Sequence, residues 1–376
     1  MKFKIVKRDF LKSLEKTLSV VERRNTMPSL NHTLLELKDG KLTVSATDLE
    51  IFVSSQIECQ MEEEGRVAIP ARNLYEIIRE CPTDTAIGIH LVEGNRIEIQ
   101  SGRSQFRLLG LAADSFPHFK TSPRGQLSSG KLKVDQLLEL IKKTEHCICT
   151  EEYRYALTGI YLENIAKDGV NHLRAVSTDG HRLAIIEKTE TEIGNFALGK
   201  GIIIPRKGCI ELRKLLETSQ ENEVQVECDE NLLRISTDVN KLWIRPIDSE
   251  YPDYNRVIPE SLEAEVFIKS KELSGSLKRM NLLVSDRSRV VTFDFYKDHL
   301  KLSTQNPDLG EAKDEVPAEY TGSGLKTGFN VKFFIDALNN IKGDSLSVHV
   351  GEKLQPALLE SKDDPGYRIV IMPMRL

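Results

Sequence analysis

Two stretches of this chain carry residue types that do chemistry in other settings. Thr178-Asp179-Gly180-His181-Arg182-Leu183 sets a carboxylate near an imidazole, the pairing a general base requires. No Ser or Cys nucleophile motif accompanies it, and Asp-Gly is turn chemistry in its own right. Gly194-Asn195-Phe196-Ala197-Leu198-Gly199-Lys200 matches the first seven positions of a phosphate-binding loop. The eighth is Gly201, where magnesium needs a hydroxyl. Ile202–Ile204 then reads as a strand, where a helix N-terminus should cradle phosphate. The eight histidines show no metal-ligand spacing. Cys59, Cys81, Cys147, Cys149, Cys209 and Cys228 include no Cys-x-x-Cys pair and read as free buried thiols. These residues call for no catalytic group, cofactor or metal.

The elements that would position these residues repeat. Ile204-Pro205-Arg206-Lys207-Gly208 ends an apolar strand and opens a helix carrying Ile210, Leu212, Leu215 and Leu216. Val67-Ala68-Ile69-Pro70-Ala71-Arg72-Asn73-Leu74 is a close earlier copy, and Thr327-Gly328-Phe329-Asn330-Val331-Lys332-Phe333-Phe334 a looser later one. Pro205 follows Pro70 by 135 positions and Asn330 follows Pro205 by 125. A repeat of that length is a domain with its own core. Each copy also opens with an amphipathic helix: Phe10, Leu14, Leu18 and Val21 in the first, Val134, Leu138 and Ile141 in the second, Leu273, Leu277, Met280 and Val284 in the third. Hairpins turn at Lys38-Asp39-Gly40, at Glu93-Gly94-Asn95 and near Lys167-Asp168-Gly169. A Ser/Gly/Pro-rich linker runs from Thr121 to Gly130. The expected fold is α+β, antiparallel hairpins with two helices per copy. The expected domains span 1–125, 126–254 and 255–376.

The 376 residues are 40% apolar and 29% charged, ordinary for a globular protein. No apolar run approaches the roughly 20 residues of a membrane span. Met1–Arg8 alternates like a strand rather than a signal peptide, so the expectation is a cytoplasmic protein with no membrane partner. Net charge is −5, yet it is unevenly placed. The six helical stretches, taken as Lys7–Arg24, Pro70–Glu80, Lys131–His146, Pro205–Glu217, Lys269–Arg289 and Phe329–Lys342, hold 24 basic and 13 acidic residues. The remainder therefore carries −16. A positive helix layer beside an acidic sheet layer suits phosphate binding; Glu is as good a helix former as Lys, so propensity alone does not explain it. The basic residues are not interleaved with aromatics, as stacking on single strands requires. No recognition helix or zinc finger is present for base readout. Backbone contact with duplex DNA, independent of sequence, fits best. At the C-terminus, Met372, Met374 and Leu376 are flexible apolar side chains suited to a groove that takes more than one peptide.

Over its whole length the chain resembles the bacterial sliding clamps, the DNA polymerase III beta subunits. The resemblance rests on Thr178–Ala184, Ile204–Gly208, Tyr251-Pro252-Asp253-Tyr254-Asn255-Arg256-Val257, Gly328–Val331 and Met372–Leu376. It implies a DNA polymerase processivity factor in DNA replication. Two head-to-tail copies would form a homodimeric ring of clamp-type domains, sheets outside and helices lining a channel around double-stranded DNA. The implied partners are the polymerase III alpha subunit, the clamp loader complex, and other replication and repair proteins carrying clamp-binding peptides. The implied peptide groove comprises Leu157, Thr178, Gly180, His181, Arg182, Leu183, Pro252, Arg256, Val257, Val370, Ile371, Met372, Pro373, Met374, Arg375 and Leu376. Implied DNA contacts are Arg24, Arg72 and Tyr155, with Arg206 and Lys207 as additions. Glu151 and Ala156 depart from the family pattern, which expects an amide and an aromatic there. The implied ring contact joins Phe106 and Leu108 of one copy to Leu283 and Val284 of the other. The residues alone leave two further readings: a peptide-binding scaffold that never encircles DNA, and an enzyme using His181.

Overall fold

A computed structural model describes residues 1–21, 27–83, 85–119, 125, 127–194, 196, 198–259, 264–285, 289–351 and 354–376. They form two compact units. One holds Met1–Leu137, Gly194–Lys200 and Lys207–Pro246; the other holds Leu138–Ile193, Gly201–Arg206 and Ile247–Leu376.

In the first unit, strand Lys2–Val6 leads directly into helix α1 (Lys7–Leu18). Asp9 in its first turn and Lys16 in its last complement the helix dipole. Helix α2 (Ala71–Glu80) buries Ala71, Leu74 and Ile78 on one face and packs against α1. It stops at Cys81 because Pro82 bars the preceding residue from helical geometry. A five-stranded antiparallel sheet runs in the order Gln60–Glu63, Lys2–Val6, Ala86–Val92, Arg96–Ser101, Ser104–Leu109. An eight-stranded sheet runs Ser128–Lys133, Glu223–Asp229, Leu232–Ser236, Asn240–Ile244, Ile51–Glu58, Lys41–Thr47, His32–Lys38, Gly65–Pro70. Phe3, Phe10, Leu35, Leu42, Val67, Leu74, Ile87 and Ile97 belong to one buried cluster.

The boundary between units falls inside helix α3 (Val134–Thr144), after Leu137, and inside α5 (Arg206–Thr218), after Arg206. The second unit also holds the one-turn α4 (Glu190–Ile193), α6 (Ser270–Met280) and α7 (Val331–Asn340), the last two packed together. Asn330 caps α7, its Oδ1 accepting the Lys332 N–H at 3.0 Å. One twelve-stranded sheet runs Ile202–Pro205, Gly159–Lys167, Val170–Thr178, Arg182–Thr189, Tyr367–Ile371, Ala357–Glu360, Ser345–Val350, Ala264–Lys269, Gly310–Tyr320, His299–Asn306, Val290–Phe295, Leu325–Asn330. Phe293, Phe329 and the α7 residue Phe334 pack edge-on or tilted, with ring centroids 4.7–5.2 Å apart.

The predicted hairpins form as read. Asp39 and Gly40 take φ +50° and +74°, and Asp168 and Gly169 take +53° and +76°, the left-handed pair that a two-residue hairpin turn needs. Other expectations change. Helix α1 ends at Leu18 and α6 at Met280, so Val21 and Val284 lie beyond the helices that their spacing suggested. Val21 still packs with Ala46 and Ala71. The linker is shorter than expected: Ser128–Gly130 pair in a strand with Val226–Cys228. Thr121–Arg124 and Gln126 lie outside the described residues.

Two strands missed in the sequence join one repeat to the next. Ile51–Ser55 pairs antiparallel with Asn240–Ile244, and Arg182–Ile186 with Tyr367–Ile371. The three repeats thus share continuous sheets instead of each closing its own.

Some helix charge is spent inside the protein. Lys7 is buried and its Nζ donates to the Arg79 and Cys81 carbonyls. Lys143 is buried against Asp364 and lies 3.2 Å from Glu139, which also takes Lys188 at 2.8 Å and Lys342. Burial works against the Glu139 charge, but these lysines outweigh it and hold its carboxyl at about 2, below the usual 4.5. Its stabilisation is therefore complete above about pH 4.5 and is lost as the pH falls toward 2. Chemical denaturation should show stability declining through that window. Glu139→Gln should be less stable at pH 7 by about 2 kcal/mol, with a flatter acid profile.

Candidate functional site

Thr178-Asp179-Gly180-His181 is a tight turn between two sheet strands. The Thr178 hydroxyl donates to the Arg182 carbonyl at 2.7 Å and accepts the Gly180 N–H at 3.0 Å. Asp179 Oδ1 accepts the His181 and Arg182 N–H groups, both at 3.0 Å, and Oδ2 accepts Arg182 Nε at 3.0 Å. All this leaves the carboxylate no role in orienting the His181 ring. Gly180 has φ +86°, a conformation that favours glycine, and a Cβ there would meet Arg154 Nη1 at 2.6 Å, so the Arg154 side chain would have to shift. Arg154 in turn donates to the Asp179 carbonyl at 2.8 Å. Arg182 reaches Asp336 Oδ2 at 2.7 Å and lies over the Phe333 ring at 4.5 Å. The exposed His181 ring stacks on the same Phe333, 6.5 Å between centroids.

Beside this turn is a cavity of about 180 Å³ lined by Leu157, Thr178, Gly180, Arg182, Leu183, Pro252, Asp253, Tyr254, Val257, Val370 and Met372. Its floor is fixed from below. Leu183 and Val370 face each other in the sheet register and share a buried cluster with Val176, Ile185 and Tyr254. The Tyr254 hydroxyl donates to Glu163 and accepts Arg174 Nη1 at 2.7 Å. Arg174 is held by Glu187 at 2.7 Å. Burial, and then the Glu163 carboxylate, push the Tyr254 phenol well above its usual range, so the hydroxyl stays protonated and donating.

Nine of the predicted groove residues line this cavity. Asp253 and Tyr254 also line it; the sequence offered Tyr251–Tyr254 as a motif but not the direction each side chain takes. The remaining predicted residues lie elsewhere. Ile371 is fully buried in the sheet. Arg256 is exposed and pairs with Asp253 at 3.0 Å. The Met372 N–H donates to the His181 carbonyl at 2.9 Å, and that of Met374 to the Gly328 carbonyl at 2.7 Å. Pro373 is half-buried; Arg375 and Leu376 are exposed. His181 lines a second cavity of about 440 Å³ with His146, Arg206, Lys332 and Asp336. Burial, and then the Arg182 charge, bring the His146 imidazole down to about 4, so it is neutral at physiological pH.

Of the predicted phosphate contacts, Arg24 lies outside the described residues. Tyr155 and Arg206 are exposed; Arg72 is half-buried. Lys207 is already engaged, its Nζ donating to the buried Asp48 carboxylate and to the Val20 carbonyl at 3.4 Å. Glu151 accepts Tyr153 Oη at 2.6 Å and pairs with Arg154 at 3.1 Å, so its charge is largely compensated. Phe106 is exposed and Leu108 half-buried on strand Ser104–Leu109. Leu283 and Val284 are half-buried in the turn after α6. Leu109 and Leu282, not singled out in the sequence, are more exposed than these, at 66% and 75%. The phosphate-loop look-alike has a packing cause. A Cβ on Gly194 would meet the Lys131 carbonyl at 2.3 Å, and Phe196 and Leu198 are buried.

Family models of the DNA polymerase III beta subunit match in three consecutive parts: the N-terminal domain over residues 1–120, the central domain over 131–253 and the C-terminal domain over 255–375. The beta sliding clamp of Caulobacter vibrioides is 34% identical over 378 residues, covering 100% of both chains. A crystal structure of the Caulobacter crescentus beta sliding clamp covers 100% of both chains at 33% identity and TM-score 0.94. A Bartonella birtlesii DNA polymerase III beta subunit bound to griselimycin gives the same three values.

The turn geometry separates structural from exposed groups. Asp179→Ala leaves the His181 and Arg182 backbone donors and the Arg182 Nε without their acceptor. It should cost about 2–4 kcal/mol in chemical denaturation. His181→Ala, at an exposed ring, should change stability by less than about 0.5 kcal/mol.

Proposed function

The chain belongs to the family of DNA polymerase III beta subunits, the bacterial sliding clamps, and we propose that two copies close head to tail into a ring that encircles duplex DNA. The family is one of non-catalytic DNA polymerase processivity factors, and this chain has its three tandem α+β clamp domains. We set the domain divisions at 1–125, 126–254 and 255–376.

The observation that supports ring closure is a junction made twice and left open once. Repeat one gives strand Ile51–Glu58 to repeat two, and repeat two gives Arg182–Thr189 to repeat three. The matching strand of repeat three is Gly310–Tyr320. Its stretch Gly310–Pro317 pairs only with His299–Asn306 among the described residues. The matching acceptor in repeat one is Ser104–Leu109, which among the described residues pairs only with Arg96–Ser101. Open edges of this kind are templates for another chain, and exposed Phe106 and Leu109 beside one of them add apolar area. Leu108, Leu283 and Val284 would complete the contact.

DNA would be held by topology, with helices lining the channel. Arg24, Arg72, Tyr155 and Arg206 would touch phosphates only, weakly enough to slide. The polymerase alpha subunit, the clamp loader and repair proteins would each insert a short Gln- and Leu-containing peptide beside Leu183, Val257 and Val370. A buried apolar anchor there is worth roughly 1.5–3 kcal/mol. Met372–Leu376, Arg256 and His181 would form the groove's rim.

Mass measurement should give twice the 42.5 kDa of one chain. The loaded protein should stay on closed circular DNA and leave when the circle is cut. A single-chain mass, or equal retention on both forms, would sink the ring. A chain ending at Ile371 should keep its dimer mass and bind an alpha-subunit peptide at least tenfold more weakly by titration. Unchanged affinity would remove the terminal segment from the groove.

A further inference from the structure

The first helices of repeats one and two are built alike, yet one of them lacks its counter-charges. Thr17 Oγ1 donates to the Ser13 and Leu14 carbonyls, as Thr144 Oγ1 does to those of Leu140 and Ile141. Lys16 is therefore the counterpart of Lys143, and Lys12 of Glu139. The strands that receive the donated edges match as well: Asn240 lies opposite Ser55 as Tyr367 lies opposite Ile186. The Lys143 ammonium is fully provided for. Asp364 and Glu139 pair with it, and the Tyr367 ring centroid lies 4.6 Å away.

Around Lys16 each of those groups is exchanged. Lys12 stands for Glu139, Asn240 for Tyr367, and Thr237, three positions before Asn240, for Asp364. Lys16 is still half-buried, and its Nζ donates to Asn240 Oδ1 at 3.1 Å. Lys12, four positions earlier on the same helix face, places like charge where the second repeat has a carboxylate. Burial, and then the Lys12 charge, hold the Lys16 ammonium below its ordinary range. Neither lysine has an ion pair among the described residues.

Beside the two lysines, the first unit has a cleft of about 840 Å³ between α1 and α5, within the size range of small-molecule sites. Val53, Leu215 and Leu242 give it an apolar lining. Lys214 adds a third ammonium, and Glu15 and Glu211 add two carboxylates. Glu211 accepts Ser19 Oγ at 2.7 Å and Lys214 Nζ at 3.0 Å, and Glu15 accepts the Tyr75 hydroxyl at 3.4 Å. Lys12 and Lys16 remain as the two charges that no acid takes up.

We propose that this cleft binds a phosphorylated small molecule of mononucleotide size, its phosphate between Lys12 and Lys16 and its base against Val53, Leu215 and Leu242. A dianionic phosphate supplies the two charges that Glu139 and Asp364 supply to Lys143. The apolar lining calls for a flat, weakly polar body as well, which a bare sugar-phosphate does not have. The site does not depend on ring closure.

The test is calorimetric titration of the full-length protein, without magnesium or DNA, with inorganic phosphate, ribose 5-phosphate and AMP. AMP should bind at least about tenfold more tightly than the other two. Lys12→Gln should weaken AMP about tenfold, and Lys12→Glu further. Lys12→Glu without ligand should be slightly more stable than wild type in chemical denaturation, because a glutamate four positions before Lys16 gives it an ion pair. Absence of AMP binding would overturn the proposal, as would AMP binding no tighter than inorganic phosphate, which is an anion site only. Equal AMP affinity in wild type and Lys12→Gln would place the ligand elsewhere and overturn it too. So would duplex binding that weakens in Lys12→Gln while AMP does not bind, since the lysines would then belong to a duplex contact. A Lys12→Glu protein less stable than wild type would remove the missing counter-charge from which the site is argued.

Discussion

An open strand edge is a row of backbone donors and acceptors in need of partners, and in this chain each repeat hands one such edge to its successor. Ile51–Ser55 against Asn240–Ile244 and Arg182–Ile186 against Tyr367–Ile371 turn three copies into continuous sheets. Because the donated strands come from the middle of one copy and the receiving strands from the end of the next, the arrangement has a direction. A chain built this way leaves, among its described residues, one unpaired edge of each kind, at Gly310–Pro317 and at Ser104–Leu109.

The cavity beside the Thr178–His181 turn is an elaboration of that same junction. Turns Thr47–Glu50 and Thr178–His181 have matching hydrogen bonds, and even matching left-handed residues, Leu49 at φ +80° and Gly180 at +86°. Leucine pays a steric cost in that conformation. Glycine avoids it and makes room for Arg154. In the second repeat the turn then borders Pro252, Tyr254 and Val257, and an apolar cavity results. The residues with catalytic resemblance, Asp179 and His181, follow from turn chemistry: the carboxylate is consumed by backbone N–H groups and by Arg182.

Charge is distributed by the same logic. Counting along the helices treats every lysine as outward, yet Lys7 and Lys143 are buried and Lys207 holds Asp48. Those ammonium groups tie elements together, because a buried charge persists only with a partner. Other helix cations stay exposed, Arg8, Lys12, Arg206, Lys271 and Lys278 among them.

Period, hairpins and helices were legible because each depends on neighbours in the chain. Asp39-Gly40 and Asp168-Gly169 prescribe left-handed turns wherever they stand, and Leu74 and Ile78 share a face whatever covers it. The junction strands were not legible, since Ile51–Glu58 and Arg182–Thr189 take their partners from another repeat. Side-chain fates were hidden for the same reason. Lys207 and Asp48 are 159 positions apart, and nothing local says that one ammonium will be spent on a turn while its neighbour Arg206 stays in water. Propensity and spacing act over a few residues; only the folded chain brings distant charges and open edges within bonding distance.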